Sequence, residues 1–255
     1  LVWLQSFSDK KNKLMVNNEL RDLHDLIEGR LLLFDKPLFW TSFDLVKKVK
    51  ALIEKNIRQK YEERKRIKVG HAGTLDPLAE GLMVLGTGSK TKVLESIQAV
   101  DKEYITTLEF GKTTPSFDLE TMFDHEYTLS YVPLETLKHT LNQFIGEIDQ
   151  MPPQFSAKSI KGKRAYKAAR TGETVELTSS RVRIGDMEIL HYEWPLLTIR
   201  VNCSKGTYIR ALARDIGNEL NTGAHIIGLK RTRIGNYHLE DAFSLEKFEQ
   251  KIPFL

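Results

Sequence analysis

The apolar positions of this chain follow the spacing of a β-strand in some stretches and that of an α-helix in others. The order of these stretches predicts the order of its strands and helices. Leu31-Leu32-Leu33-Phe34 is a continuous apolar run, which predicts a short buried strand that ends at Asp35-Lys36-Pro37. Apolar residues then recur at helical spacing from Leu45 to Ile53. The spacing of Thr41 and Asp44 before them predicts a capping box at the start of that helix.

Further strands and helices follow from the same two spacings. Tyr104 to Phe110 alternates with period two, so it predicts a strand. Further strands are predicted at Leu82–Leu85, 181–184 and Leu196–Cys203, and further helices at Thr91–Ala99, Leu134–Ile145 and from Ile209 onward. Because strands and helices mix without regular strand–helix alternation, the pattern favours the α+β class.

Composition places the chain among globular proteins. It has 255 residues, of which 41% are hydrophobic and 28% charged, and no apolar run approaches the ~18 residues of a membrane span. The first residues lack the features of a signal peptide. Cys203 is the only cysteine, which excludes an internal disulfide and a multi-cysteine metal site. These features fit a cytoplasmic protein.

The segment from Gly70 to Gly81 fits neither a buried strand nor an amphipathic helix. It holds three glycines in twelve residues, and Pro77 biases Asp76 toward an extended conformation. A short carboxylate is therefore held on a stiff loop, five residues after His71. Asp-Pro on its own more often makes only a turn, and composition cannot decide between turn and active loop.

Two basic stretches are candidate RNA-binding segments. Residues 55–68 carry seven Lys or Arg against two Glu, so they predict either a solvated face or a phosphate contact. Residues 154–170 carry six positive residues and no acid, interleaved with Phe155 and Tyr166. Cations with aromatic rings suit a looped RNA, in which phosphates are neutralised and bases stack, although a basic surface loop would look similar.

Two other kinds of site are rejected on pattern. Gly86-Thr87-Gly88 lacks the full P-loop sequence, so nucleotide binding is not predicted there. The polar stretch from Gly111 to Leu129 carries Asp118, Glu120, Asp124 and His125, but no ligand spacing singles them out. A solvated loop is predicted for this stretch, and no metal site.

Several runs resemble the motifs of the TruB-type tRNA pseudouridine synthases. GHAGTLDPLAEG followed by LGTGSKTK resembles the active-site segment of that family, and DKEY, CSKGTYIR and GAHIIGLKR resemble three further motifs. Phe155 stands where the family's basic insertion usually has Tyr. The resemblance implies a pseudouridine synthase fold, a mainly antiparallel sheet flanked by helices. It also implies a basic RNA-binding insertion at about 152–178 and no cofactor or metal.

The resemblance assigns roles to single residues. It implies that Asp76 is the nucleophile or general base, that Arg210 pairs with it, and that Tyr104 and Leu229 contact the target base. From pattern alone Arg210 could be an exposed helix arginine, and Tyr104 and Leu229 could be core residues. Further RNA contacts are expected at His71, Lys92, Lys158, Lys163, Arg164, Tyr166, Lys205 and Arg231.

The implied activity is isomerisation of uridine to pseudouridine, at uridine 55 in the T-loop of tRNA, by a cytoplasmic monomer. Residues 31–255 would be the catalytic domain, in a short form without a C-terminal PUA domain, and 1–30 an arm or helix. Two alternatives stay open: a guide-RNA-dependent synthase and a non-catalytic tRNA-binding or folding module.

Overall fold

The computed structural model describes residues 22–155, 159–160, 163–164 and 176–255. Its helices are α1 (Leu23–Glu28), α2 (Ser42–Tyr61), α3 (Leu94–Ala99), α4 (Leu134–Gln143), α5 (Ile209–Glu219) and α6 (Leu245–Lys251). The strands are β1 (Leu31–Lys36), β2 (Val69–His71), β3 (Ala79–Thr87), β4 (Lys102–Phe110), β5 (Lys112–Thr113), β6 (His125–Glu126), β7 (Gly146–Gln150), β8 (Ser159–Ile160), β9 (Lys163–Arg164), β10 (Ser180–Glu193), β11 (Leu196–Cys203), β12 (Ala224–Ile234) and β13 (Tyr237–His238).

The chain divides into two units. The first runs up to Lys102 and resumes at Lys230, and the second is Glu103–Leu229. Strand β12 begins in the second unit and ends in the first. The strand pairings β1–β3, β2–β3, β7–β10, β10–β11 and β12–β13 are all antiparallel. The α+β class predicted from the sequence is therefore confirmed.

Helix α2 forms as its sequence pattern predicts. The Thr41 hydroxyl accepts a hydrogen bond from the backbone N–H of Asp44, whose carboxylate accepts from the N–H of Thr41. This reciprocal capping box satisfies two donors that a helix start otherwise leaves unpaired. The predicted apolar stripe is buried, and Leu45, Val49 and Ile53 are fully enclosed.

The first unit places the predicted active loop between two paired strands. β3 lies next to β1, with Leu31 opposite Gly86 and Lys36 opposite Gly81, and β2 also pairs with β3. A buried apolar cluster supports these strands, formed by Leu33, Ala72, Leu82, Val84, Leu94, Ile97 and Ile234. The loop 72–78 therefore leaves one strand and enters another that are both fixed by the core.

The second unit carries the strand order β12-β4-β11-β10-β7. Every second side chain of β4 is buried, including Tyr104 and Phe110, as the alternation predicts. β10 extends to Glu193, well beyond the predicted end at Ile184. A register shift between Ile184 and Asp186 accommodates Gly185 as a bulge, so this glycine does not end the strand.

Some sequence predictions concern residues outside the part of the chain that the structure describes. Residues 1–21 belong to the predicted N-terminal arm, and α1 covers part of the remainder. Lys158 and Tyr166 of the basic segment also lie outside the described residues. Of the helices in the described part, none is long and apolar enough to span a membrane.

Candidate active site

The Asp76 loop is tied down on both sides of its carboxylate. The buried Ser42 hydroxyl donates to the Leu75 carbonyl over 2.9 Å and accepts from the Leu75 N–H over 2.8 Å. On the other side, the Phe39 N–H donates to the Pro77 carbonyl over 2.8 Å. Asp76 itself is half-buried, and its carbonyl accepts from the N–H of Ala79 over 3.1 Å. The loop is therefore held as a preformed turn.

Arg231 braces the same loop from β12. It is fully buried, and its guanidinium donates to the carbonyls of Leu82, over 2.8 Å, and Gly73, over 3.0 Å. One side chain thus links the start of the loop to the strand that follows it. These contacts give Arg231 a positioning role. They do not support the RNA contact expected of Arg231, which stays a prediction.

Two glycines of the motif have backbone angles that favour glycine, and one of them also lies against the Arg231 backbone. Gly81 has φ of 101°, and a Cβ there would lie 2.4 Å from the Arg231 carbonyl oxygen. Gly73 has φ of 94°, and a Cβ there would lie 3.4 Å from an Arg231 guanidinium nitrogen. Residues with a Cβ rarely adopt such backbone angles. Gly73 is therefore favoured by its φ, whereas Gly81 is favoured by its φ and also lets the chain pass close to the Arg231 backbone.

Lys36 places a buried cation near the loop. Its side chain is fully enclosed, and the ammonium donates to the carbonyls of Pro37, over 3.0 Å, and Trp40, over 2.5 Å. Burial lowers the pKa of Lys36 to about 8, although the negative charges of Asp76 and Glu80 oppose this shift. The Lys36 ammonium is therefore close enough to Asp76 and Glu80 to be attracted by both carboxylates.

His71 stands at the end of β2, just before the loop. Its ring is half-buried, and burial lowers its pKa below the ordinary 6.5, with the positive charge of Arg231 adding to the effect. His71 is therefore mainly neutral at neutral pH, and its buried Nδ1 has no hydrogen-bond partner in the described part of the chain. Its predicted contact with RNA does not depend on a charge.

Arg210 lies in the second unit, in the first turn of α5. It is buried, so the alternative of an exposed helix arginine is wrong. Its guanidinium donates to the carbonyls of Ser116, over 2.9 Å, and Phe155, over 2.7 Å. Its Nε lies 3.6 Å from a carboxylate oxygen of Asp118. An anion there offsets the repulsion between an arginine and the positive end of a helix.

The prediction of a solvated loop from Gly111 to Leu129 is wrong for Asp118, whereas Glu120, Asp124 and His125 are exposed as predicted. The Asp118 side chain is buried, its carbonyl accepts from the Thr114 hydroxyl over 2.6 Å, and its carboxylate accepts from the Glu120 N–H over 2.9 Å. In the first half of the stretch, the Thr114 and Ser116 hydroxyls donate to the Asp118 carbonyl, so these polar side chains hold a buried turn. A polar composition alone does not separate this arrangement from a solvated loop.

Sequence comparison identifies the family. The profile described as TruB family pseudouridylate synthase, N terminal domain, matches residues 58–209. The profile of the tRNA pseudouridylate synthase B C-terminal domain matches residues 210–254. The chain belongs to the TruB family. The resemblance inferred from the motifs is thereby confirmed.

Curated relatives of this TruB family member match it over most of their length. tRNA pseudouridine synthase B of Phocaeicola vulgatus is 52% identical over 223 residues, which are 88% of this chain and 93% of the relative. tRNA pseudouridine synthase B of Flavobacterium johnsoniae is 44% identical and is covered to 98%.

Solved structures confirm the fold. A chain in the crystal structure of a Cbf5-Nop10-Gar1 complex matches with a TM-score of 0.68 at 24% identity. The match covers 94% of this chain and 59% of that chain. An H/ACA RNP bound to a substrate RNA containing 2'-deoxyuridine matches with a TM-score of 0.65. The pseudouridine synthase fold expected from the motifs is therefore present.

The remaining predicted site residues are distributed over both units of this family member. Tyr104, 9% exposed on β4, and the half-buried Leu229 on β12 belong to the second unit, whereas Asp76 belongs to the first. Lys92, in the short 3-10 helix Gly88–Val93, and Lys205, in a turn, are both exposed, so RNA can reach them. Lys163 and Arg164 form β9. The pairing of Asp76 with Arg210 and the roles of Tyr104 and Leu229 stay predictions.

Three residues that shape the site were not selected from the sequence. Ser42 reads as an ordinary first helical residue, and no sequence signal marks its bonds to Leu75. Lys36 reads as part of a strand-to-turn junction. Asp118 did carry a signal, because it stands among Thr and Ser residues that can hydrogen-bond to a local backbone.

Proposed function

We propose that this chain isomerises uridine to pseudouridine in tRNA, with Asp76 as its catalytic carboxylate. The observation that carries the proposal is a half-buried aspartate, tied on both sides, in a chain of a pseudouridylate synthase family. Relatives that are 44% and 52% identical are named tRNA pseudouridine synthase B, which supports tRNA as the substrate.

The reaction exchanges one bond of the nucleoside for another. The N1–C1′ bond of uridine breaks, a C5–C1′ bond forms, the hydrogen on C5 leaves as a proton, and N1 takes up a proton, so the composition of the nucleoside is unchanged. Asp76 acts as nucleophile, or as the base in an elimination route. No electron is gained or lost, so the balance needs no oxidant or reductant.

The other residues of the proposal prepare that step. Arg210 holds the carboxylate ionised and aimed, Tyr104 stacks on the base and Leu229 closes the apolar side of the base pocket. The target is uridine 55 of the T-loop, which must leave its stack to reach Asp76, at a cost of a few kcal/mol. Lys92, Lys205 and the basic segment near 154–170 offset this cost by phosphate contacts. The active form is a monomer in the cytoplasm.

The decisive experiment is tritium release from tRNA that carries [5-³H]uridine. Formation of the C5 bond must expel the label, so the parent protein releases tritium and Asp76→Asn does not. A transcript with cytidine in place of uridine 55 is the matched substrate control, and it gives no release from the T-loop. A folded, tRNA-binding parent that released no tritium would exclude the enzyme function on this substrate.

The two alternatives predict different results in the same assay. A guide-dependent synthase is inactive on bare tRNA and gains activity with a guide RNA. A tRNA-folding module retains its biological effect in the Asp76→Asn variant, although tritium release is lost. The identity to tRNA pseudouridine synthase B over 88% of the chain favours activity on bare tRNA.

A further inference from the structure

Two phenylalanine rings stand exposed beside the Asp76 loop. Phe39 is 73% exposed in the turn after β1, and Phe43 is 70% exposed in the first turn of α2. Neither ring is part of the buried core, so packing within the core does not explain these two large apolar side chains. Single exposed apolar residues are ordinary, but two aromatic rings next to a functional loop indicate a binding surface.

The backbone of Phe39 adds an independent sign of function. Its φ of 66° lies in the left-handed region, where a bulky residue is a real outlier. Such strain persists only where surrounding contacts hold it, and it concentrates at functional sites. Glycine would adopt this turn without strain, so the ring must contribute something that glycine lacks.

The turn that carries Phe39 is fixed to the active loop. Its N–H donates to the Pro77 carbonyl, one residue after Asp76. The neighbouring Trp40 carbonyl accepts from the buried Lys36 ammonium. The backbone that carries the exposed ring is therefore held at a defined place relative to the Asp76 loop.

A cleft with cationic groups lies beside this ring. It has a volume of about 480 Å³ and is lined by Phe39, Trp40, Asp44, Lys47, Lys48 and Ala51. Lys47 is exposed, and in the described part of the chain no carboxylate lies within salt-bridge distance of it, although the Asp44 carboxylate is close enough for the Lys47 charge to help lower its pKa. Asp44 accepts from the N–H and the hydroxyl of Thr41, which engages its carboxylate, and Lys48 lies 3.5 Å from Glu249. Lys47 is thus the cation that a phosphate can reach.

We propose that Phe39, Phe43 and Lys47 form a second nucleotide-binding surface, on which an unpaired nucleotide of the RNA substrate stacks its base. The proposal rests on the proposed function, because it takes the tRNA substrate as the occupant. The rings offer π faces to the base, and Lys47, one helical turn after Phe43, reaches the phosphate. A cleft of this volume accommodates one nucleoside.

The first test separates a π face from mere apolar bulk. Phe39→Leu raises the Kd and the KM for a tRNA transcript by roughly fivefold or more, with a smaller change in kcat, whereas Phe39→Tyr binds like the parent. Phe254→Ala is the matched control, because Phe254 is also a highly exposed phenylalanine (89%) of the first unit. It leaves the Kd unchanged.

A second variant separates binding from folding. Phe39→Gly removes the ring and also relieves the left-handed strain, so it weakens tRNA binding while its Tm stays equal or rises. A ring that served only the structure would give the opposite result, a lower Tm with unchanged binding. That result would overturn the proposal.

The Lys47 contact has its own signature. Lys47→Gln lowers the slope of log Kd against log salt by about one, as expected for one lost phosphate contact. Lys247→Gln, an exposed lysine on α6, leaves the slope unchanged. Equal slopes for parent and Lys47→Gln would contradict the phosphate contact.

The outcomes distinguish this proposal from the proposed function. If the parent releases tritium and Phe39→Leu matches it in Kd and KM, the second surface is wrong and the function stands. If the parent releases no tritium, the function fails, and the Kd values alone still decide the surface. If sedimentation shows dimers that Phe39→Leu dissociates, the patch joins two copies of this chain and the proposal is overturned.

Discussion

Arg210 and Asp118 form an ion pair in which both side chains are only 4% exposed. The Arg210 Nε and an Asp118 carboxylate oxygen lie 3.6 Å apart, and two backbone carbonyls accept from the same guanidinium. The carboxylate also accepts from a backbone N–H. Because the groups around both charges are hydrogen-bonded, the pair holds Arg210 in one orientation inside the second unit.

Removal of the Asp118 charge therefore takes a buried counter-charge away from the Arg210 guanidinium. Asp118→Asn should lower the free energy of unfolding by about 3–5 kcal/mol, the usual cost of breaking a buried pair. It should also lower kcat, because the arginine proposed to aim Asp76 loses its orientation. Urea denaturation and tritium release measure the two effects.

The control is an ion pair with a shorter distance between side chains that are both exposed. Glu135 lies 2.7 Å from Lys138, and the Glu135 side chain is 82% exposed. Glu135→Gln should change stability little, because water screens such pairs. Equal losses for Asp118→Asn and Glu135→Gln would show that the buried pair does not hold the fold.

The glycines of the Asp76 loop allow backbone strain and steric clash to be separated. Gly81 and Gly146 have nearly the same φ, 101° and 105°, but a Cβ at Gly146 meets nothing within 4 Å. Gly146→Ala should cost about 1–2 kcal/mol from φ alone. Gly81→Ala should cost roughly 2 kcal/mol more, because its Cβ collides with the Arg231 backbone. Thermal denaturation compares them, and equal losses would contradict the clash.

Much of the fold was predictable from local sequence patterns, because interactions between near neighbours in the sequence determine where these helices and strands form. The capping box at Thr41 and the alternation from Tyr104 to Phe110 were predicted, since caps and two-residue periods depend on near neighbours. The length of β10 was not predicted. Gly185 resembles a strand end, and only the partner strand β11 shows that a bulge absorbs it.

The site was predictable in its motif residues but not in their supports. Asp76 and Arg210 lie in runs that resemble family motifs. Ser42 and Arg231 act through hydrogen bonds to residues 33 and about 150 positions away in the sequence, which no local pattern encodes. The polar residues around Asp118 also gave no indication that its side chain is buried. Hydrogen bonds between residues far apart in the sequence were therefore not predicted.

Arg231 offers a test of loop positioning. Arg231→Met leaves the carbonyls of Gly73 and Leu82 without their guanidinium donor, at about 1–3 kcal/mol for each unpaired group. We expect kcat to fall more than KM rises, because the loop loses its orientation and not its RNA contacts. Single-turnover tritium release measures this split.

Two variants control for charge in that experiment. Arg231→Lys keeps the charge and should restore part of the rate, since an ammonium can reach one of the two carbonyls. Lys230→Met removes an adjacent charge that is paired with Glu80 at the surface, and it should leave kcat near that of the parent. If Lys230→Met and Arg231→Met lower kcat equally, the bracing role is wrong.

Lys36 should make stability depend on pH in the alkaline range. Its pKa is about 8 in the folded protein, below the ordinary 10.5, because burial disfavours its charge. Between these two values the unfolded chain binds more protons than the folded chain. The Lys36 contribution to the free energy of unfolding therefore rises as pH rises from 8 to 10.5, and is flat below about 7.

The measurement is urea denaturation of the parent and of Lys36→Met from pH 7 to 10.5. Other titrating groups act alike in both proteins, so the difference between the two curves isolates Lys36. The parent should gain stability relative to the variant as the pH passes 8, whereas Lys247→Met, which removes an exposed lysine, should stay parallel to the parent. Parallel curves for Lys36→Met as well would mean that the buried ammonium keeps its ordinary pKa. The enclosure of Lys36 beside Asp76 would then have no electrostatic cost.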